Sequence, residues 1–565
     1  MVAAMAATTK STPGNGAAAK PATTVSATHI FESALVPLPE CKIDQLVFSK
    51  LAQMNLKPVL CSDAVFVRLA FLDVIGTLPT AQEARNFIND PDTKHKRSKL
   101  IDKLLERDEF ADYWSMRWGD ILRIKAEFPV NLWPNAAQAY YRWVHAAITE
   151  NKPYDQFVRE LLTSSGSNFR VAPVNFYRAI QNRTPEGIAG AVALAFMGTR
   201  IDSWPKERVA GMAAFFAQIG YKPTSEWKEE VVFWDPIGFS TIAGNSAPGR
   251  AAVVVPVPST NAPPAFVPPT NAPPQEAIFP DGTKIKLPAD TDPREIFANW
   301  LIDRHNPWFA RSIVNRVWYW LLGRGIIHEP DDIRPNNPPS NPELLVYLER
   351  ELVAGHYDLK RIYRLILNSQ TYQLSAMPRN TTPEAAANFA SYAIRRLDAE
   401  VLIDAINKIT GAQDLYTSAI PEPFTYIPED QPAVALADGS ITSPFLALFG
   451  RSARATGMEN ERDNKQVPAQ WLQLLNSSHI QKKIEQGPKL KALFDSKQQP
   501  TAIVEELYLT ILSRPPTAME LETLKTAEII SPMTKTTKNN YTKRRENWID
   551  LTWALINSTE FLYRH

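Results

Sequence analysis

The stretch of sequence that decides the fold is NPWFARSIVNRVWYWLLGRGIIHEPDDIRPNNPPSNPELL, residues 306–345. Asn306-Pro307 and Asn341-Pro342 each place a capping side chain before a proline at the first helical position, where no amide hydrogen is needed. Between the two pairs, an apolar run at helical spacing stops at Gly323, a residue type that tolerates the left-handed backbone of a helix end. The stretch therefore predicts helices joined by a stiff, polar loop.

The same helix signals recur on both sides of this stretch. Asp292-Pro293 repeats the pair of cap and proline. Residues 80–83 and 517–520 are capping boxes, in which a hydroxyl and a carboxylate satisfy free amides at a helix start. We therefore predict a mainly α fold, with an N-terminal module that is all-α to about residue 235 and is helical over 185–219.

Composition divides the chain into four segments. TNAPP occurs at 260–264 and again at 270–274, a repeat typical of a semi-rigid polyproline spacer. Near it, residues 253–255 favour a short strand, and residues 278–287 favour a hairpin that turns at Pro280-Asp281-Gly282. The predicted segments are a flexible tail (1–38), an N-terminal helical domain (39–235), a Pro-rich linker with short strands (236–290) and a C-terminal helical domain (291–565).

Composition and charge exclude several classes of function. The 61 Lys and Arg residues nearly cancel the 60 Asp and Glu residues, so we predict no nucleic-acid partner. The two cysteines exclude a multi-disulfide scaffold, a four-cysteine zinc site and a cysteine-ligated iron–sulfur cluster. The histidines lack the spacing of metal ligands, so we also predict no metal site. No apolar run is long enough to predict a transmembrane segment, and the first thirty residues lack the pattern of a secretory signal.

Blocks across most of the chain resemble a known pair of domains. The resemblance to the first domain is carried by RLAFLDVIGTLPTAQEARNFI (68–88) and EFADYWSMRWGDILR (109–123). The resemblance to the second is carried by residues 306–345, RRLDAEVLIDAI (395–406), LFGRSARATGMENER (448–462), QLLNS (473–477) and WALINSTEFLYRH (553–565). The pair is found in exported planctomycete and verrucomicrobial proteins that have no established activity and often accompany a c-type cytochrome module. The resemblance implies an extracytoplasmic protein, in the periplasm or at the cell surface.

This chain departs from the family pattern at two places. Where the family typically has a haem-attachment CxxCH, the sequence runs from Arg200-Ile201 straight to Asp202-Ser203-Trp204. Where the family tends to have two cysteines one residue apart, this chain has Met458 and Asn460. Covalent haem needs two thiols and an iron-binding histidine. The N-terminal domain is therefore predicted to be of the cytochrome-associated type with its haem motif lost, and no cofactor is expected.

Three polar clusters contain the candidate binding residues, and two interpretations of them remain open. Carboxylates could act as general acid and base while arginines hold an anionic substrate, or the same groups could pair with one another to fasten irregular segments. The first cluster lies in a loop, the second at a helix start and the third before a loop: Asp332, Arg334 and Asn337; Arg395, Arg396, Asp398 and Glu400; Glu459, Glu461 and Arg462.

Two tryptophans and the two cysteines complete the set of candidates. Trp133 and Trp204 lie in predicted loops, where exposed rings could stack on a sugar. Cys41 and Cys61 flank the first helix and could form a disulfide, which would fit an exported protein, or remain two buried free thiols.

Three hypotheses about function follow from these observations. The first is a haem-free structural or interaction subunit of an exported assembly, whose partners are other protein subunits such as cytochromes or surface proteins. The second is a polysaccharide-binding or polysaccharide-degrading protein that uses loop tryptophans and Arg/carboxylate clusters. The third is a subunit of an electron-transfer complex with the haem on a partner. A non-enzymatic role is favoured because no catalytic residue can be assigned.

Overall fold

The computed structural model describes residues 30–238, 276–463, 465–496, 498–530 and 538–565, with side chains described from residue 543 in the last segment. The predicted strand at 253–255, the TNAPP repeats and almost all of the predicted tail lie outside the described residues. The prediction of a mainly α fold is confirmed, since helices account for most of the described elements.

Three of the N-terminal helices begin at a side-chain cap, formed by Ser62, Thr80 and Thr184, and Thr80 forms a complete capping box with Glu83. These helices are α1 (Lys42–Gln53), α2 (Asp63–Val74), α3 (Ala81–Ile88), α4 (Lys96–Leu105), α5 (Asp108–Ile121), α6 (Pro134–Thr149), α7 (Tyr154–Thr163), α8 (Asn175–Ala179), α9 (Pro185–Val192) and α10 (Lys206–Ala213).

The N-terminal module also contains a sheet, so the prediction that it is all-α was wrong. Strands β1 (Gly166–Ser167), β2 (Ile219–Pro223) and β3 (Glu230–Trp234) form an antiparallel sheet in the order β1-β3-β2. Residues 230–234 read EVVFW, and β-branched and aromatic residues favour extended backbone. The helix predicted over 185–219 is interrupted as well, because Gly198 adopts a left-handed backbone with φ +60° and ends the first part.

The C-terminal helices also follow the predicted caps. Asn341 accepts a hydrogen bond from the Leu344 amide, and Asn306 accepts from the amides of Trp308 and Phe309. The helices are α11 (Pro293–Leu301), α12 (Phe309–Leu322), α13 (Pro342–Ala354), α14 (Leu359–Leu367), α15 (Pro383–Ala387), α16 (Ala399–Thr410), α17 (Pro444–Leu448), α18 (Pro468–Asn476), α19 (Ser478–Gln486), α20 (Pro488–Phe494), α21 (Pro500–Leu512), α22 (Ala518–Thr526), α23 (Lys538–Ile556) and α24 (Thr559–Leu562).

Two short antiparallel pairs accompany these helices. The predicted hairpin is present as β4 (Glu276–Ile278) and β5 (Lys284–Lys286), and β4 packs on α10 of the N-terminal module. The second pair joins β6 (Arg395–Arg396) to β7 (Tyr563–Arg564). The β6–β7 pair places the end of the chain beside the start of α16.

A continuous hydrophobic core joins the two modules. Trp320 of α12 contacts Trp114 and Trp118 of α5, with ring centroids 5.3 Å and 6.0 Å apart. Phe309 stacks on Tyr154 at 4.8 Å. Aromatic pairs of this kind stabilise packing beyond the area that they bury. Within the described part of the chain, no helix combines the length and apolar character that a membrane span requires.

Candidate functional site

Arg395 and Arg396 hold the ends of two helices. Arg395 donates to the carbonyl oxygens of Trp320 and Leu321, both at 2.8 Å, at the end of α12. Arg396 donates to the carbonyl oxygen of Phe449 at 2.6 Å, directly after α17. A cation at a helix C-terminus satisfies carbonyl groups that have no partner inside the helix. Both arginines are therefore committed to positioning backbone.

Asp398 connects the first helices of the chain to its last residues. Its Oδ2 accepts hydrogen bonds from Arg117 of α5 at 2.7 Å and from Arg564 of β7 at 2.8 Å. Arg564 also donates to Asp73 of α2 at 2.8 Å. All four side chains are buried, so each charge depends on its partners for compensation.

Arg462 joins the second and third predicted clusters. It donates to both oxygens of Glu400, at 2.6 Å and 3.0 Å, and to Asp120 Oδ2 at 2.8 Å. Burial opposes ionisation of Glu400, but the guanidinium groups of Arg462 and Arg451 hold its pKa below the ordinary value. Burial likewise disfavours the charged form of Arg462, and the two carboxylates overcome this and raise its pKa. The planar guanidinium suits such bidentate pairing.

Further arginines extend this arrangement. Arg454 donates to Asp120 Oδ1 at 3.0 Å and to the Ala437 carbonyl oxygen at 2.8 Å, and Arg451 lies 3.3 Å from Glu400. We name the connected set the ionic cluster: Asp73, Arg117, Asp120, Arg395, Asp398, Glu400, Arg451, Arg454, Arg462 and Arg564. Its members come from both modules.

Glu459 lies beside the ionic cluster. Its backbone amide donates to Asp331 at 2.6 Å, and its carboxylate accepts from Trp320 Nε1 at 2.9 Å. Asp331 in turn accepts from Arg316 at 2.6 Å. Burial raises the pKa of Glu459, and the neighbouring Asp331 adds to this, whereas Arg316 lowers it.

The remaining residues of the predicted clusters bond mainly near their own loops, and Asp332 also pairs with Arg200 of the N-terminal module. Asp332 pairs with Arg334 at 3.1 Å and with Arg200 at 3.4 Å. Asn337 donates to the carbonyl oxygens of His328 and Asp332, and Glu461 accepts from the amides of Ala455 and Thr456. Cluster two and cluster three therefore meet through Arg462, while Asp332, Arg334 and Asn337 contact neither through a hydrogen bond or ion pair in the described structure.

The tryptophan and cysteine candidates take separate positions. Trp133 is half-buried and packs on Phe424, with centroids 5.4 Å apart, while Trp204 lies under the guanidinium of Arg208 at 3.8 Å. Cys41 and Cys61, which the sequence left open as a disulfide or as two free thiols, are free thiols in the structure, the first half-buried and the second buried. Cys41 donates to Asp44 at 3.2 Å, and burial raises its pKa to about 12.

Residues from the two stretches at which the sequence analysis expects a difference from the family pattern line one cavity of about 290 Å³ between the modules. Arg200, Ile201 and Asp202 line it on one side, and Met458 lies on the other. None of the side chains lining it is a cysteine or histidine, so these residues do not fit a covalently attached haem. Across the described ranges, no group of three or more His, Cys, Asp and Glu side chains could hold a metal ion.

Several members of the ionic cluster were missed from the sequence. Arg117 and Asp120 stand in RWGD on a mostly apolar helix, and charges in such a helix could have been recognised as buried. Arg454 and Arg564 lie in loop and terminal sequence, where no periodicity indicates burial. Their partners are hundreds of positions away, and only the fold brings them together.

Comparison with domain families gives two matches. The family described as PSCyt2: Protein of unknown function (DUF1549) matches residues 42–220, and the family described as PSD1: Protein of unknown function (DUF1553) matches residues 293–527. No curated protein and no solved structure gives a significant match. Both domains of the predicted pair are therefore present in this chain.

Proposed function

We propose that this chain, which carries both of these domains, is a haem-free structural or interaction subunit of an exported assembly in the periplasm or at the cell surface. The observation that carries the proposal is the ionic cluster. The side chains that a catalytic interpretation needs, above all Glu400, Asp398 and Arg462, are buried and bound to one another. These buried ion pairs fix the two modules to each other, and neither the Glu400 nor the Asp398 carboxylate is open to a substrate.

An exposed apolar surface supports the interaction role. Helix α18 exposes Leu472 and Leu475, at 60% and 43%. Its Trp471 lines a cavity of about 420 Å³ together with Met377 and Ile394, which are also exposed. Exposed apolar side chains gathered around a cavity are typical of surfaces that bind another protein.

The first experiment is to purify the native protein with its partners from its own source and to record a visible spectrum together with mass spectrometry. We expect defined protein partners. An Ile394→Asp variant should lose them, because a carboxylate placed in the apolar surface must be desolvated on binding. Met519→Asp, at another exposed apolar position, is the matched control and should keep them. A chain that is monomeric in native extracts would contradict the proposal.

The same purified protein, with its partners, distinguishes between the alternative hypotheses about function. A haem band that accompanies identified cytochrome partners makes the chain a scaffold in an electron-transfer complex, whereas a colourless complex removes that hypothesis. Turnover of a substrate, abolished by Glu459→Gln or Arg396→Ala in a protein that remains folded, would overturn the non-catalytic role.

A further inference from the structure

A groove of about 570 Å³ lies between helix α6 and the irregular segment of residues 423–441. From α6 come Tyr141, Arg142 and His145, and from the segment come Phe424, Thr425 and Tyr426. The groove adjoins the ionic cluster, because Arg454 donates to the carbonyl oxygen of Ala437, which lines the groove. Asp438, another lining residue, accepts from the Ala126 amide and so ties the segment to the N-terminal module. Its size is that of sites that bind small organic ligands or short polymers.

Two buried hydroxyl groups line the groove without a protein partner. Tyr141 is 8% exposed and Thr425 is 7% exposed. Neither hydroxyl has a hydrogen-bond partner among the residues that the structure describes. A buried polar group that has no partner is unfavourable, because it has lost its hydrogen bonds to water. Other buried polar atoms, such as Arg117 Nε and Trp318 Nε1, also lack a partner in the described structure, so the two hydroxyls support a ligand only together with the groove that their residues line.

The neighbouring polar side chains supply both donors and acceptors. His145 Nε2 lies 3.1 Å from Asp112 Oδ1, and Gln138 and Gln431 also line the groove. Amide, imidazole and carboxylate groups can each bond a sugar hydroxyl, which is donor and acceptor at once. A ligand rich in hydroxyl groups matches this mixture of hydrogen-bond donors and acceptors.

Two aromatic rings give the groove an apolar face. Phe424 is 50% exposed and Tyr426 is 73% exposed. Trp133 packs against Phe424 and holds that ring in place from behind. Large rings that stay exposed beside a polar groove can stack on the apolar C–H face of a sugar ring.

We propose that the groove binds a neutral saccharide chain. Groups of both signs line the groove: Asp112 lies 3.1 Å from His145, and Arg142 and Asp438 are also lining residues. Glu429 and Asp430 of the segment that carries the two rings are exposed, as is Glu422 directly before it, and these carboxylates repel an anionic glycan. Binding at this groove does not depend on the subunit role proposed above and requires no catalytic step.

The test is calorimetric titration of the full chain with neutral hexasaccharides, namely cellohexaose, xylohexaose, mannohexaose, laminarihexaose and chitohexaose. We expect at least one to bind. Tyr426→Ala should weaken that binding about tenfold through loss of stacking. Tyr141→Phe and Thr425→Val should each weaken it by about threefold to tenfold through loss of one hydrogen bond.

Trp227→Ala is the matched control, since this ring is 69% exposed and lies outside the groove. It should leave the affinity unchanged. Far-UV circular dichroism must show that every variant is folded. The proposal is overturned if no neutral hexasaccharide binds at millimolar concentration, or if Tyr426→Ala and Tyr141→Phe bind like the unmodified chain. It is also overturned if only heparin or polygalacturonate binds, or if the proline-rich peptide TNAPPAFVPPTNAPP occupies the groove instead.

Discussion

Around Arg462, four hydrogen bonds join one guanidinium to two carboxylates of different modules. In the groove, the hydroxyls of Tyr141 and Thr425 are equally buried but have no partner within the described structure. Buried polar groups therefore have different roles in the ionic cluster and in the groove. Around Arg462 the fold supplies the partners, and the buried charges fix structure, whereas the two groove hydroxyls are proposed to serve a ligand. Experiments that remove one polar group at a time can separate the two cases.

The largest effect is expected at the centre of the ionic cluster. Arg462→Ala leaves Asp120 and Glu400 buried without their shared partner, so the free energy of unfolding should fall by about 3–5 kcal/mol. Urea denaturation followed by far-UV circular dichroism measures this. Arg364→Ala is the control, because its 2.7 Å pair with Asp102 lies on the surface and contributes about 1 kcal/mol or less. Equal losses in both variants would show that the cluster adds no more than a surface pair.

A smaller loss of stability is expected when a methyl group is added beside the ionic cluster than when one of its arginines is removed. A Cβ atom added at Gly119 would lie 2.9 Å from Arg454 Cζ, whose guanidinium is held by Asp120 and by the Ala437 carbonyl. Overpacking of this kind costs about 1–3 kcal/mol, so Gly119→Ala should destabilise the protein in the same urea assay.

Gly190→Ala is the matched helical control. Its nearest contact is the flexible end of Ile201 at 3.2 Å, which can move. Because alanine has a higher helix propensity than glycine, Gly190→Ala should lower the free energy of unfolding by less than Gly119→Ala does. If Gly190→Ala were the more destabilising variant, the Arg454 side chain would have to move freely away from the added Cβ atom.

The two regions also differ in how far the sequence predicts them. Caps such as Thr80 and Asn341 act within four residues, and the structure forms both as expected. The contacts of Arg462 and Arg564 join segments separated by hundreds of residues, so sequence spacing could identify the charged groups but not their partners. The groove was missed because residues 423–441 have no periodicity, and orphan hydroxyls are recognisable only once neighbouring atoms are in place.

Asp404 connects the two regions and should make stability depend on pH. It follows Glu400 by one turn of α16, and its carboxylate accepts from the amides of Ala433 and Val434, beside the groove segment. Burial raises its pKa from 3.8 to about 7, although the two amides oppose this. The folded protein therefore keeps a proton that the unfolded chain releases, and the stability from this proton is lost as the pH rises towards 7.

Asp404→Asn cannot lose that proton. From pH 5 to pH 8, the free energy of unfolding of the variant should rise relative to that of the unmodified chain. This holds even if the variant is the less stable protein at both pH values, because the hydrogen bond from one backbone amide is weakened. Thermal unfolding of both proteins across this pH range measures the difference. A difference that stays constant with pH would show that Asp404 is ionised throughout.

The smallest effect is the sharpest test of the comparison. Thr425→Val removes a hydroxyl that has no partner in the described structure, so the free energy of unfolding should change by no more than about 0.5 kcal/mol, or rise slightly. Thr371→Val is the matched substitution at a paired hydroxyl, which donates to Asp44 at 2.8 Å. It should cost about 1.5–3 kcal/mol, since that hydrogen bond is to a charged group. If Thr425→Val costs as much, its hydroxyl serves the fold, and the distinction between the paired cluster and the ligand-ready groove fails at this residue.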